Sequence, residues 1–241
     1  MESVPTEVLK AFPLTKITRL EKYGKGSTHS TYIIDASEGI FILQKMDPII
    51  APIAVDDMRS ATEFLAEHGM RTCRVISTKD GASTFESGGA HWRVLTYIEG
   101  HSVSGSLLPA QAESAGAIVG AFHNAFQEYR KPFSYRIPTV QTPRRAFNML
   151  LAAKDDCRDP AKTDCNAVAN EILEHSQNLE LDFSEYPLRP LHGDPKLDNI
   201  LFEGDIAVAL VDLDNLNMYR FPLELGDMLR SFCSRSASKN F

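Results

Sequence analysis

The eight residues His192-Gly193-Asp194-Pro195-Lys196-Leu197-Asp198-Asn199 set an aspartate, a lysine and an asparagine close together in a loop rich in turn formers. Asn199 stands five residues after Asp194, and thirteen residues further on an apolar strand pattern ends in Asp212-Leu213-Asp214. A lone His-x-Asp would read as a solvated surface loop. The joint order of His, Asp, Lys, Asn and strand-end aspartates is far more specific. It brings together a carboxylate that can accept a proton, a cation beside it, and oxygen donors suited to a hard divalent cation.

The spacing is that of the kinase catalytic-loop motif H-R-D-L-x-x-x-N, whose Asn also follows its Asp by five. Phosphoryl transfer asks for little covalent chemistry from a protein. It needs a carboxylate facing the acceptor hydroxyl and oxygens that hold Mg²⁺ on the nucleotide phosphates. On this reading Asp194 is the catalytic base, and Lys196 neutralises charge on the transferred phosphoryl. Asn199, Asp212 and Asp214 form the metal set. Side chains alternate along a strand, so a regular strand through Asp214 projects both aspartates on one side. His192 is expected to fix the loop by hydrogen bonding.

Composition sets outer bounds. At 241 residues, 43% hydrophobic and 24% charged, the chain is an ordinary globular protein able to form one large domain or two lobes. A net charge of −7 excludes a general nucleic-acid binder, which would carry a basic face. No apolar run is long enough for a membrane span, and Met1 to Pro5 lack the basic and apolar regions of a secretory signal. Cys73, Cys157, Cys165 and Cys233 have no CxxC spacing and read as free thiols of a reducing compartment, with cytoplasm as the expected location.

Strand and helix patterns divide the chain. Thr31-Tyr32-Ile33-Ile34 and Ile40-Phe41-Ile42-Leu43 are β-branched and aromatic and predict a hairpin closed near Gly39. A helix capped by Asp56 or Asp57 carries Met58, Ala61, Phe64 and Leu65 at helical spacing and stops at Gly69. Val75-Ile76 and Arg93 to Ile98 add strands. Beyond Gly100 the pattern turns helical: a stripe from Ala115 to Tyr129, a helix after Pro143, and another over 167–179. The expected fold is α+β and bilobal, with a small β-rich nucleotide-binding lobe over 1–98. A helical lobe over 99–241 bears the catalytic loop and metal strand.

Phosphate contacts are expected from the turn Gly24-Lys25-Gly26-Ser27, through the backbone N–H groups of Gly24, Gly26 and Ser27. It lacks the Walker A pattern. On the strand that follows, Gln44 and Lys45 point to opposite faces. Lys45 is the expected nucleotide contact, because phosphates call for a cation. A protein kinase pairs such a lysine with a helix glutamate. Glu63 and Glu67 are on offer here, while Met58 occupies the start of the apolar face.

The assembled pattern resembles the aminoglycoside phosphotransferase and choline kinase superfamily of small-molecule kinases. The resemblance rests on His192-Gly193-Asp194…Asn199, Val211-Asp212-Leu213-Asp214, the hinge-like Tyr97-Ile98-Glu99-Gly100 and Gly120-Ala121-Phe122-His123. Within it, Phe41-Ile42-Leu43-Gln44-Lys45-Met46, Lys196 to Phe202 and Gly226-Asp227-Met228-Leu229-Arg230 look most like N-acetylhexosamine 1-kinases. The resemblance implies a kinase-like fold, ATP and Mg²⁺ as cofactors, and nucleotide contacts from Thr96, Tyr97 and Ile98 at the hinge. The partner it implies is a small hydroxyl-bearing acceptor, an N-acetylhexosamine in the sugar branch and an aminoglycoside or choline in others. No nucleic-acid or membrane partner is expected. A nucleotide-binding regulator without catalysis is the remaining alternative. Relatives continue with further helices after the segment matching Gly226 to Arg230, so the helical lobe is expected to be incomplete in this chain.

Overall fold

The computed structural model describes residues 4–24, 28–103, 105–135, 143–156, 163–176 and 183–233. A short helix α1 (Thr6–Ala11) precedes β1 (Arg19–Lys22), β2 (Ser30–Ala36) and β3 (Gly39–Lys45). Helix α2 (Pro52–Glu67), β4 (Val75–Ile76), β5 (Phe85–Ser87) and β6 (Ala90–Thr96) follow. The sheet is antiparallel in the order β1-β2-β3-β6-β4, with β5 on β6. The predicted hairpin is present, closed at Gly39.

Alternation along β3 and β6 gives the sheet two different faces. Phe41, Leu43, Trp92 and Val94 point outward and pack with Val8, Phe12 and Leu14. Ile42, Gln44, Arg93 and Leu95 point the other way, into a cleft. Helix α2 begins at Pro52 rather than after Asp56, with Pro in the first turn, where its missing N–H costs no helical hydrogen bond. Buried Asp57 instead accepts the Ser134 and Tyr135 N–H groups, fastening α2 to the chain after the next helix. The helix ends at His68, and Gly69 adopts the left-handed φ of +77° that such a stop favours.

Beyond the hinge come α3 (Pro109–Phe126), α4 (Pro143–Asp156), α5 (Thr163–Ser176), β7 (Leu188–Leu191), β8 (Ile200–Glu203), β9 (Ile206–Leu210), β10 (Asn217–Arg220) and α6 (Phe221–Phe232). The α3 stripe buries Ala115, Val119, Phe122 and Phe126. They join Ile200, Phe202, Ala209 and Leu210 of the β8–β9 hairpin, together with Val55, Met58 and Leu65 of α2. One core therefore runs beneath both lobes. The stripe expected on α5 is not buried: Val168 and Ile172 are exposed, and Ala169 alone is deeply covered among the described side chains of that helix. The molecule has the bilobal kinase-like α+β architecture expected from the sequence.

At the hinge, Gly100 has φ +148°, and a β-carbon there would stand 3.1 Å from Leu201 Cβ and 3.2 Å from the Phe202 carbonyl. This close approach lets His101 bridge to Phe202 and ties the hinge to the β8–β9 hairpin. No helix among the described residues is long and apolar enough to cross a membrane.

Candidate active site

A cleft of about 830 Å³ separates the sheet from the β8–β9 hairpin. Thr96, Tyr97, Ile98 and Gly100 form its hinge wall. Lys196, Asn199, Leu201 and Asp212 form its floor, and Ile42, Gln44, Met58, Cys73 and Arg93 its back. Thr96, Tyr97 and Ile98 of the hinge thus share one cavity with Lys196 and Asn199 of the loop and with Asp212. Tyr23, just before Gly24, stands edge-on to Tyr97 with ring centroids 6.2 Å apart, at the mouth. Gly24 has a left-handed φ of +75° in a turn with space around it. Gly26 and Ser27 lie outside the described residues.

The catalytic loop is held at nearly every residue. His192 is fully buried; its Nε2 donates to the Val211 carbonyl at 3.0 Å and its Nδ1 accepts the Asp194 N–H. This is the fixing role the sequence suggested. Gly193 has φ +81°, and a β-carbon would fall 2.5 Å from the Asn215 carbonyl oxygen, so glycine is obligatory there. Its N–H donates to Glu224 Oε2 at 2.8 Å, while Glu224 Oε1 takes a hydrogen bond from His123 Nε2 at 2.5 Å. Ser231 Oγ accepts the Leu197 N–H. Helix α6 is therefore a splint under the loop. Neither Glu224 nor Ser231 stands out in the sequence, because a single buried carboxylate on an amphipathic helix has no spacing signal.

Asp194 does not itself line the cleft but is tied to two residues that do, its Oδ2 accepting from Lys196 Nζ at 2.7 Å and from Asn199 Nδ2 at 3.2 Å. Asn199 Nδ2 also donates to the Asp194 carbonyl, which leaves its Oδ1 for another partner. Burial works against the charge of Lys196, but the Asp194 hydrogen bond and carboxylate raise its pKa above the ordinary lysine range.

The two aspartates after β9 do not share a side. The strand ends at Leu210, and Asp212 turns into the left-handed region at φ 62°, ψ 56°, starting a 3₁₀ turn over Leu213–Asn215. That turn sends the carboxylates apart. Asp212 lines the cleft beside Asn199; burial first, and the neighbouring Asp214 charge second, raise its pKa. Asp214 points backward, and Arg93 grips both of its oxygens, Nη2 to Oδ2 at 2.8 Å. His29 Nε2 meets the same Oδ2 at 2.6 Å. Burial alone would raise the Asp214 carboxyl, but the Arg93 charge and the hydrogen bonds override it and hold it well below the usual carboxylate range. Asp214 is thus corrected from metal ligand to ion-pair partner, since alternation fails once the strand ends.

Lys45 is corrected as well. It shares the outward face of β3 with Phe41 and Leu43, whereas Gln44 faces the cleft and accepts Arg93 Nε at 2.8 Å. The cation at the back of the cleft is Arg93, one strand over and 1% exposed. Sequence reasoning passed over it because an arginine inside an apolar strand looks like an edge residue. Met58, not a glutamate, is what α2 presents to the cleft. Cys73 also lies there, its thiol pushed up to about 11 by burial.

Asp212 and the free amide oxygen of Asn199 are a hard-oxygen pair of the kind Mg²⁺ takes, with nucleotide phosphates completing its shell. Among the described residues no side chain hydrogen-bonds Asp212, and no three His, Cys, Asp or Glu residues could hold a metal by themselves. The donor set fits a cation shared with a phosphate ligand.

The sequence pattern described as "Phosphotransferase enzyme family", APH, matches residues 19–238. The chain is 23% identical over 210 residues to a homoserine kinase of Nitrobacter winogradskyi, covering 86% of this chain and 61% of that protein. It is 23% identical to a homoserine kinase of Rhodopseudomonas palustris, covering 92% and 64%. The chain thus spans somewhat less than two thirds of these two relatives. Among solved structures it resembles an amicoumacin kinase in complex with AMP-PNP and Ca²⁺, with TM-score 0.63, 13% identity, and coverage of 93% and 67%. It also resembles an aminoglycoside phosphotransferase of Alicyclobacillus acidocaldarius, with TM-score 0.63, 18% identity, and coverage of 95% and 71%.

Proposed function

Since the chain belongs to the phosphotransferase enzyme family, we propose that it moves the γ-phosphoryl of ATP to a hydroxyl of a small molecule. The observation that carries this is the meeting of Lys196, Asn199 and Asp212 in a hinge-walled cleft, with Asp194 hydrogen-bonded to the first two. Asp194 takes the acceptor's proton, and Lys196, hydrogen-bonded to it, faces the transferred group. Asn199 and Asp212 hold Mg²⁺, which supplies neutralising charge to the phosphates. Thr96, Tyr97 and Ile98 take the base end of the nucleotide, and Gly24, with Gly26 and Ser27, the phosphate end.

Two acceptor readings have specific support. The strings around Lys45, Lys196 and Gly226 favour an N-acetylhexosamine, whereas homoserine is named for the relatives that match most of the chain. Both are small alcohols. ADP release measured with N-acetylhexosamines, homoserine, aminoglycosides and choline separates them. Asp194→Asn should lower transfer roughly a hundredfold or more, with nucleotide affinity nearly unchanged. Turnover close to that of the parent chain would remove Asp194 as the base. No acceptor-dependent ADP release from any compound would count against the enzymatic reading.

A further inference from the structure

The phosphotransferase reading leaves four polar side chains behind the cleft without a task, three of them buried and Gln44 half-buried. His29, just before β2, and Arg93 of β6 converge on Asp214 of the 3₁₀ turn across the cleft, and Gln44 of β3 holds Arg93. We propose that Arg93, with His29, is an interlobe clasp that positions Asp212 for the metal–nucleotide, acting through Asp214 and resting on the reading above.

The geometry gives the clasp its direction. Arg93 presents two nitrogens to the two oxygens of Asp214, a planar fork that fixes the carboxylate in orientation as well as distance. Its Nε is held by Gln44 Oε1, so the guanidinium cannot rotate. His29 Nδ1 accepts the Asp47 N–H at 3.0 Å, which places the ring hydrogen on Nε2, aimed at Asp214 Oδ2. The Asp214 side chain is 7% exposed, with Oδ1 taken by Arg93 and Oδ2 shared by Arg93 and His29. Two residues earlier, Asp212 holds a left-handed backbone that a non-glycine residue enters only under strain. The clasp pins the turn that imposes this conformation.

A buried ion pair is weak evidence for stability, because apolar residues of like volume often serve as well. Orientation is what they cannot supply. In a protein kinase a sheet lysine and a helix glutamate set the cleft's geometry. Here Gln44 and Met58 face the cleft, and the ordering charge pair runs from sheet to metal-bearing turn instead. Closure of the lobes and placement of Asp212 are thereby one event.

The test uses the full chain, isothermal titration with ATP with and without Mg²⁺, and thermal melting without ligand. The variant Arg93→Met/Asp214→Leu removes the pair without leaving a lone charge. Its melting temperature should fall little, while the gain in ATP affinity brought by Mg²⁺ should shrink about tenfold, or about 1.4 kcal/mol. A double variant in which Mg²⁺ helps ATP as much as in the parent overturns the clasp. Should that variant not fold, Arg93→Lys serves: it keeps the charge but not the fork, and the same selective loss is expected. Full retention of the Mg²⁺ effect in Arg93→Lys overturns the proposal too. A parent chain that binds ATP no better with Mg²⁺ overturns the phosphotransferase reading first, and the clasp with it.

Discussion

Asp212 and Asp214 are separated by one residue, yet their surroundings push their acidities in opposite directions. The Asp214 carboxyl lies below its unfolded value, so its stabilising contribution is present above the ordinary carboxylate range and is lost as pH falls through that range toward its folded pKa. The Asp212 carboxyl lies above its unfolded value, so the folded state is best favoured at low pH and loses that advantage as pH rises through the raised pKa. Neutral substitutions should therefore act with opposite sign near pH 7. Asp212→Asn is expected to raise the melting temperature of the metal-free chain by a few degrees, at about 2–4 °C per kcal/mol for a chain of this size. It should also abolish the Mg²⁺ gain in ATP affinity. Asp214→Asn leaves Arg93 buried without its counter-charge and should cost about 3–5 kcal/mol. Melting curves of both variants from pH 4 to pH 8 check the signs; two shifts in the same direction would refute the electrostatic account.

Helix α6 shows how an element can serve a site it does not line. Its Glu224 is 3% exposed and joins the Gly193 N–H of the loop to His123 of α3, while Ser231 two turns later holds Leu197. Glycine at 193 allows the loop to approach the Asn215 carbonyl, and Glu224 then accepts its N–H. Glu224→Ala leaves that N–H and the His123 ring without their acceptor, at a cost of about 1–3 kcal/mol in all. Because α6 touches the loop and not the hinge, phosphoryl transfer should fall at least about tenfold. Affinity for metal-free ATP should barely change. Stopped-flow ADP release beside ATP titration distinguishes the two; equal losses in both would mean that α6 supports the whole cleft.

Across the whole molecule, the core beneath α2, α3 and the β8–β9 hairpin crosses the boundary expected near residue 98, and β6 carries side chains of both clusters on its two faces. Such continuity argues for one cooperative unfolding transition rather than two. The single tryptophan, Trp92, sits in the outer cluster of the sheet at 3% exposure, while most helical signal comes from the other lobe. Trp92 fluorescence and far-ultraviolet circular dichroism should give coincident urea curves. Phe202→Ala, which removes a fully buried ring between hinge and α3, should shift both together by about 3–5 kcal/mol. Separate midpoints would show that the lobes unfold independently.

Local chemistry carried most of the way from the amino-acid order to the site. The β2–β3 hairpin, α3 and the β8–β9 hairpin follow from period and turn residues, and Asp194, Lys196 and Asn199 keep their spacing because five residues of tight loop leave little freedom. What failed did so for want of information held across the fold. Period two could assign Gln44 and Lys45 to opposite faces, but which face meets the cleft depended on α1 covering the other. Alternation could pair Asp212 with Asp214 only while the strand lasted, and its end at Leu210 is set by the turn that Arg93 grips from the opposite lobe. Arg93, His29 and Glu224 act through partners between 31 and 185 residues away in the chain. Contacts at such separations leave no periodic trace in a sequence, and so only the assembled chain places them.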